Sequence, residues 1–278
     1  MFEPPRAGLS SRSDSVLART KTGISDLDEM LRGGFLDGDA VLVAGSAGTG
    51  KTTLALQYLM NGISLFGERG VYVSFEQLPS QIYRDASSFG WDLRKMEEED
   101  QLRMVCTSPN LMVPNEGDEF LLSEVLNEVR PHRLVLDSLS HLALYVGESG
   151  LRKELYRLIM MLKARGLSTL LTWETRDASE RSVFASDGGA SFLVDTVILL
   201  KQVEIESAIR RALVVLKMRG SDHDKRLREY DITSQGFKVA SPFTQYEGIL
   251  AGMPRRLLTD EAADIWASAF TKKQKHPA

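Results

Sequence analysis

Apolar positions along the chain follow two rhythms. Short, nearly continuous runs at Ala40–Ala44, Val71–Phe75, Leu102–Cys106, Arg133–Asp137 and Leu167–Thr172 are bounded by glycine, proline or charged residues and predict core strands. Between them, apolar residues recur at helical spacing, which predicts helices over Thr53–Asn61, Ser80–Phe89, Glu119–Val129 and Leu151–Arg165. In the third of these Phe120, Leu121, Val125 and Leu126 form the buried side; in the fourth Leu151, Leu155, Leu158, Ile159 and Leu162 do. Strand and helix alternate, as in a parallel sheet flanked by helices. Three later strands, Asp195–Val203, Ala208–Lys217 and Leu227–Ile232, have short polar connections and predict antiparallel hairpins at the sheet's edge.

The remaining stretches are simpler. Residues 1–20 lack periodicity and read as a flexible or partner-bound arm. Thr22–Leu31 holds a short helix that Ser25 can cap, with Asp28 three residues on, and Gly33-Gly34-Phe35 turns the chain into the first core strand. The acidic turn Glu97-Glu98-Glu99-Asp100 reads as solvated surface, and Pro109 and Pro114 mark a loop. Beyond Pro254, Thr259–Phe270 forms an amphipathic helix followed by Lys272-Lys273-Gln274-Lys275-His276, favourable charge for a helix C-terminus. Its Trp266 and Phe270 either pack on the domain or grip a partner. The chain thus divides into an arm (1–20), one large α/β domain (21–254) and a C-terminal helix with a basic tail (255–278).

Composition narrows the classes. The length of 278 residues suits one large domain. A formal charge of -4 argues against a generally basic nucleic-acid surface, no run approaches a membrane span, and the start has no secretory pattern, so a cytoplasmic setting is expected. The single cysteine, Cys106, excludes an intrachain disulfide and reads as a core residue.

The chemistry centres on Gly45-Ser46-Ala47-Gly48-Thr49-Gly50-Lys51-Thr52, which fits G-x-x-x-x-G-K-[ST] between a strand and a helix. Glycines there let backbone N–H groups face phosphate oxygens, Lys51 reaches the β- and γ-phosphates, and the Thr52 hydroxyl can ligate Mg²⁺; Thr53 continues the cradle. Asp137, tipping an apolar strand, is the Walker B acid that holds Mg²⁺ through a water, with Ser138 steadying its loop. Glu76, at the end of the second strand, is placed to polarise the attacking nucleophile, or is a solvated acid at a strand end. Thr172 either senses the γ-phosphate or caps its strand. Lys217-Met218-Arg219-Gly220-Ser221-Asp222-His223 is either a solvated hairpin end or a pair of cations projecting into a neighbouring subunit's triphosphate. His223 has no partners of metal-site spacing, which favours a hydrogen-bonding role.

Together these pieces resemble the KaiC branch of the RecA-like P-loop ATPases, from about Lys21 to the end. The resemblance rests on Thr22-Gly23-Ile24, Gly33-Gly34-Phe35, the P-loop, Phe75-Glu76, Leu136-Asp137-Ser138, Asp195-Thr196 and, most specifically, Lys217-Met218-Arg219-Gly220-Ser221 with His223. Gly252-Met253-Pro254-Arg255 and Arg228-Glu229 are more similar to the second ATPase domain of that family. The resemblance implies a homohexamer with ATP and Mg²⁺ at each subunit boundary. Lys51, Thr52 and the catalytic base Glu76 would lie on one side, and Lys217, Met218, Arg219, Ser221 and His223 on the other. A second family glutamate falls on Gln77. The family's self-phosphorylated Ser-Thr pair falls on Ser191-Phe192, which leaves Ser191 as the acceptor, and its tail implies a regulatory protein binding residues 255–278. Two other readings share the core: a DNA-dependent ATPase drawing on Arg176, Arg181 and the 219–228 cluster, and a nucleotide-gated scaffold with little turnover.

Overall fold

The computed structural model describes residues 18–109, 121–175 and 190–257. The arm before residue 18, the loop at Pro114, Arg176 and Arg181, and the helix and tail after residue 257 lie outside the described residues.

A nine-stranded sheet forms the centre. We number its strands with two small ones included: β1 (Arg19–Thr20), β2 (Phe35–Leu36), β3 (Ala40–Gly45), β4 (Gly70–Ser74), β5 (Leu102–Cys106), β6 (Arg133–Asp137), β7 (Ser168–Glu174), β8 (Thr196–Ile205), β9 (Ala208–Met218), β10 (Arg228–Thr233) and β11 (Gly236–Pro242). Across the sheet the order is β11-β10-β9-β8-β3-β7-β6-β4-β5. From β8 to β5 neighbours are parallel, and from β8 outward to β11 they are antiparallel. This is the α/β RecA-like architecture, with a mostly parallel sheet and antiparallel edge strands.

Helices cover both faces, so β3 is buried at all six positions and needs no polar alternation. Period-two geometry sends Val41, Val43 and Tyr72 to one layer with helices α1 (Ser25–Met30) and α2 (Lys51–Phe66), and with α3 (Pro79–Ser87) and α4 (Leu93–Glu98). Leu42, Ala44, Val71 and Val73 face the other layer, against α5 (Leu121–Val129) and α6 (Ser140–Ala164).

Several expectations change. α6 is two helices meeting at a kink at Gly147, whose φ of 68° suits glycine; the second carries the expected buried positions Leu151, Leu155, Leu158, Ile159 and Leu162, and the first, from Ser140, was not expected. α5 buries Leu126 and packs Val125 against the same core, as expected, and adds Leu122 and Val129 to that face; Phe120 lies outside the described residues. Ser25 is not a cap: it lies in the first turn, and the Asp28 carboxylate reaches back to the backbone N–H groups of Thr22 (2.7 Å) and Gly23 (3.1 Å). Glu97 lies in α4 rather than a solvated turn, accepting from the Tyr83 hydroxyl and from the Met104 N–H at 3.0 Å. Cys106 is exposed, not core, because β5 is an edge strand and Cys106 is its last residue. β11 was missed: its apolar residues are too few and too interrupted by polar ones to stand out.

A candidate triphosphate site

Gly45 ends β3 and Gly50 caps α2, so strand, loop and helix follow in the order phosphate binding needs. Gly48 and Gly50 have φ of 76° and 89°, and Gly45 is pressed so closely that an added Cβ would lie 2.6 Å from the Leu200 carbonyl oxygen. The loop's carbonyls are held from outside: Gln202 Nε2 donates to Gly48 O at 3.1 Å and the Tyr230 hydroxyl to Thr49 O at 2.5 Å. Thr49 Oγ1 donates to Ser46 O at 2.8 Å. Ala47 and Thr53 complete the loop and the first turn of α2.

Lys51 is buried, and its ammonium folds back on the loop, donating to Gly45 O and Ser46 O at 2.9 Å each. Burial lowers its pKa, and Glu174, Asp137 and Glu76 oppose that shift. Those two carbonyls satisfy the ammonium in this structure.

Asp137 sits beside it at the tip of β6. Thr52 Oγ1 donates to Asp137 Oδ2 at 2.7 Å and Tyr72 Oη to the same oxygen at 2.5 Å, while Thr172 Oγ1 donates to Oδ1. The Thr172 hydroxyl is thus not a strand cap: it orients the Asp137 carboxylate. A hydroxyl and a carboxylate oxygen converging beside a P-loop are hard oxygen donors suited to Mg²⁺. Among the described residues no cluster of three or more His, Cys, Asp or Glu side chains could hold a metal alone. Ser138 Oγ accepts from Ser140 N at 3.2 Å and so steadies the turn after Asp137.

Glu76 follows β4 in a bend, its side chain 65% exposed, with His141 Nε2 at 3.9 Å. Gln77 N–H donates to Ser74 Oγ at 3.0 Å. Sequence reasoning missed Tyr72 and Tyr230. Tyr72 had a signal, a lone phenol inside an otherwise aliphatic strand.

Lys217, Met218 and Arg219 are elsewhere. β9 runs antiparallel to β8, so Met218 pairs with Thr196 and Thr196 with Val41, near the start of β3, while the P-loop begins at its end. Four residues of strand separate Val41 from Gly45, about 13 Å. Lys217 Nζ donates to Ser191 O (2.8 Å) and Val194 O (2.7 Å), and Arg219 Nη2 to Phe192 O (2.7 Å), so both hold the short helix Ala190–Leu193. Ser191 is 1% exposed. Ser221 Oγ accepts from Arg19 at 2.6 Å, and the His223 N–H bonds the Asp222 carboxylate.

A glycine-rich loop between a core strand and a helix, with a lysine inside it and an acid on the strand two places across, defines a P-loop nucleoside triphosphatase. The chain belongs to the KaiC ATPase family, whose model matches residues 20–243. It is 35% identical over 254 residues to the circadian clock oscillator protein KaiC of Prochlorococcus marinus, covering 91% of this chain and 49% of that protein. Over 269 residues it is 34% identical to KaiC of Synechococcus elongatus, covering 97% and 51%. The chain thus spans about half the length of the curated relatives it matches. Its fold is also similar to the crystal structure of a KaiC-like protein from Pyrococcus horikoshii, with a TM-score of 0.73 at 31% identity over 81% of this chain and all of that one.

Proposed function

We propose that the protein hydrolyses ATP at sites shared between copies of itself in a ring, most simply a hexamer, and that turnover serves regulation through a partner of the C-terminal segment. The observation that carries this reading is the split of its cationic groups. Lys51 lies at one end of the sheet and Lys217 and Arg219 toward the other, so one chain cannot bring all three to one triphosphate, whereas two adjacent chains can.

In this mechanism Lys51 leaves the Gly45 and Ser46 carbonyls for the β- and γ-phosphates. Thr52 and Asp137 would hold Mg²⁺, which offsets charge on the phosphate oxygens. Glu76 orients water for in-line attack and accepts its proton. Lys217 and Arg219 of the next copy meet the charge that grows on the transferred group, while Met218, Ser221 and His223 line that side of the nucleotide. Adenine preference and the Mg²⁺ requirement follow from kinship with KaiC proteins.

Arg219→Ala is expected to lower kcat by about 10²–10³-fold with nucleotide affinity changed less than about threefold. Turnover equal to the parent protein's would remove the shared-site reading.

Self-phosphorylation at Ser191 is the finer part of the proposal. Its hydroxyl lies on the segment whose carbonyls hold Lys217 and Arg219, so it travels with groups facing a neighbour's triphosphate. Because Ser191 is buried, the segment must open first. The expected result with Mg-ATP is a slow mass gain of one phosphoryl group, absent in Ser191→Ala; an unchanged intact mass leaves hydrolysis alone.

A further inference from the structure

Asp195, buried just before β8, takes no part in the mechanism above, yet groups from three other parts of the chain meet at its carboxylate. Oδ2 accepts from the N–H of Ala40, the first residue of β3, at 3.0 Å. Oδ1 accepts from Lys163 Nζ in the last turn of α6 at 2.7 Å, and Arg219 Nη1 approaches it to 3.9 Å. The backbone repeats the same ties: Asp195 N–H donates to Ala40 O at 2.8 Å, and Arg219 N–H donates to Asp195 O at 3.0 Å.

The charge is unusually committed for a structural acid. Its side chain is 9% exposed, its neighbour Asp39 is a second buried carboxyl, and an uncompensated negative pair there would be costly. Lys163 offsets it at short range. Arg219, 53% exposed and 3.9 Å away, is the more distant partner. Its Nη2 donates to the Phe192 carbonyl at 2.7 Å and its Nη1 faces the Asp195 charge at 3.9 Å, so one hydrogen bond and one longer ion pair together aim the guanidinium.

We infer that Asp195 is a positioning residue for the neighbour-facing Arg219, and that through its bond to Ala40 it ties this arginine to the strand that carries the same chain's P-loop. The inference rests on the shared-site reading above. Each subunit would then join its own nucleotide loop, at one end of β3, to the arginine it offers the next subunit. A shift of β3 on nucleotide binding would be felt by the next site through one carboxylate.

The test mixes variants. Asp195→Asn keeps the side chain's shape and an acceptor for Ala40 but removes the charge. We expect kcat to fall at least about fivefold with KM for ATP within about twofold, the pattern of a lost transition-state contact. Mixed with Lys51→Ala, whose P-loop is disabled but whose Arg219 is intact, it should regain activity above the sum of the two separate proteins. An Arg219→Ala and Lys51→Ala mixture is the control. If that control regains nothing, the shared site itself fails. If the control regains activity while the Asp195→Asn mixture does not, or if Asp195→Asn alone turns over normally, the positioning role is overturned. Should Asp195→Asn not assemble, Lys163→Gln loosens the same carboxylate from α6 and is expected to give the same lowered kcat and the same recovery on mixing; normal turnover there would count equally against the inference.

Discussion

Asp137 accepts from three hydroxyls, on Thr52, Tyr72 and Thr172. Such donors fix the direction of an acid's lone pairs and are worth about as much to metal affinity as a ligand's orientation, on the order of 10–100-fold. Tyr72 is the most committed of them. It is fully buried, and burial, then the Asp137 charge, drives its pKa well above the ordinary phenol value, so it remains a donor at any working pH. Tyr72→Phe should raise the Mg²⁺ concentration for half-maximal turnover about tenfold. A Mg²⁺ titration of ATPase rate reads this directly, and an unaltered midpoint would mean that the two threonines suffice.

At the scale of elements, the P-loop helix is braced by strands far along the chain. Gln57 of α2 accepts from the Phe237 N–H at 2.6 Å and donates to the Phe237 carbonyl at 3.2 Å, as a neighbouring strand would. Tyr230 stacks on Phe237 with ring centroids 4.4 Å apart and reaches Thr49 with its hydroxyl. Gln57→Ala leaves a buried N–H unpaired and should cost about 1–3 kcal/mol, read as a lower denaturant midpoint. These contacts explain what was legible in the sequence. The parallel strands and the P-loop helix announce themselves because burial on both faces demands continuous apolar runs and phosphate binding demands glycines. β11 did not, since its pairing partners are a glutamine and a strand with polar alternation. The set around Asp137 was half legible: Thr52 and Asp137 have a spacing that can be read, whereas Tyr72 and Thr172 reach it only because β4, β6 and β7 lie side by side. The positions of Lys217 and Arg219 at the other end of the sheet followed from strand direction, which no motif encodes.

For the molecule as a whole, the sheet divides its labour. Its parallel part ends in the P-loop, Asp137 and the Glu76 bend, and its antiparallel part carries Lys217 and Arg219. The seam between them is β8, parallel to β3 and antiparallel to β9, and buried charge concentrates at its base. Burial first, and then the nearby Asp195 charge, raises the pKa of Asp39 from 3.8 to about 6. A carboxyl whose folded-state pKa is raised binds its proton more tightly when folded. Its contribution to stability is therefore complete below pH 4 and lost as pH climbs to about 6. Asp39→Asn should remove that slope and stabilise the protein at pH 7.5, by on the order of 2 kcal/mol, as measured by urea unfolding at a series of pH values. A variant with the parent's pH profile would show that Asp39 stays ionised without penalty.

The exposed end of β5 has a practical side. Cys106 is the only thiol in the sequence and lies across one ladder step from Ser74, whose hydroxyl anchors the bend bearing Glu76. A maleimide dye would therefore attach at one defined point per copy, a strand's width from the serine that anchors the Glu76 bend. Fluorescence from that point would report on the bend, and in the proposed ring energy transfer between copies would report their spacing, with no engineered cysteine required.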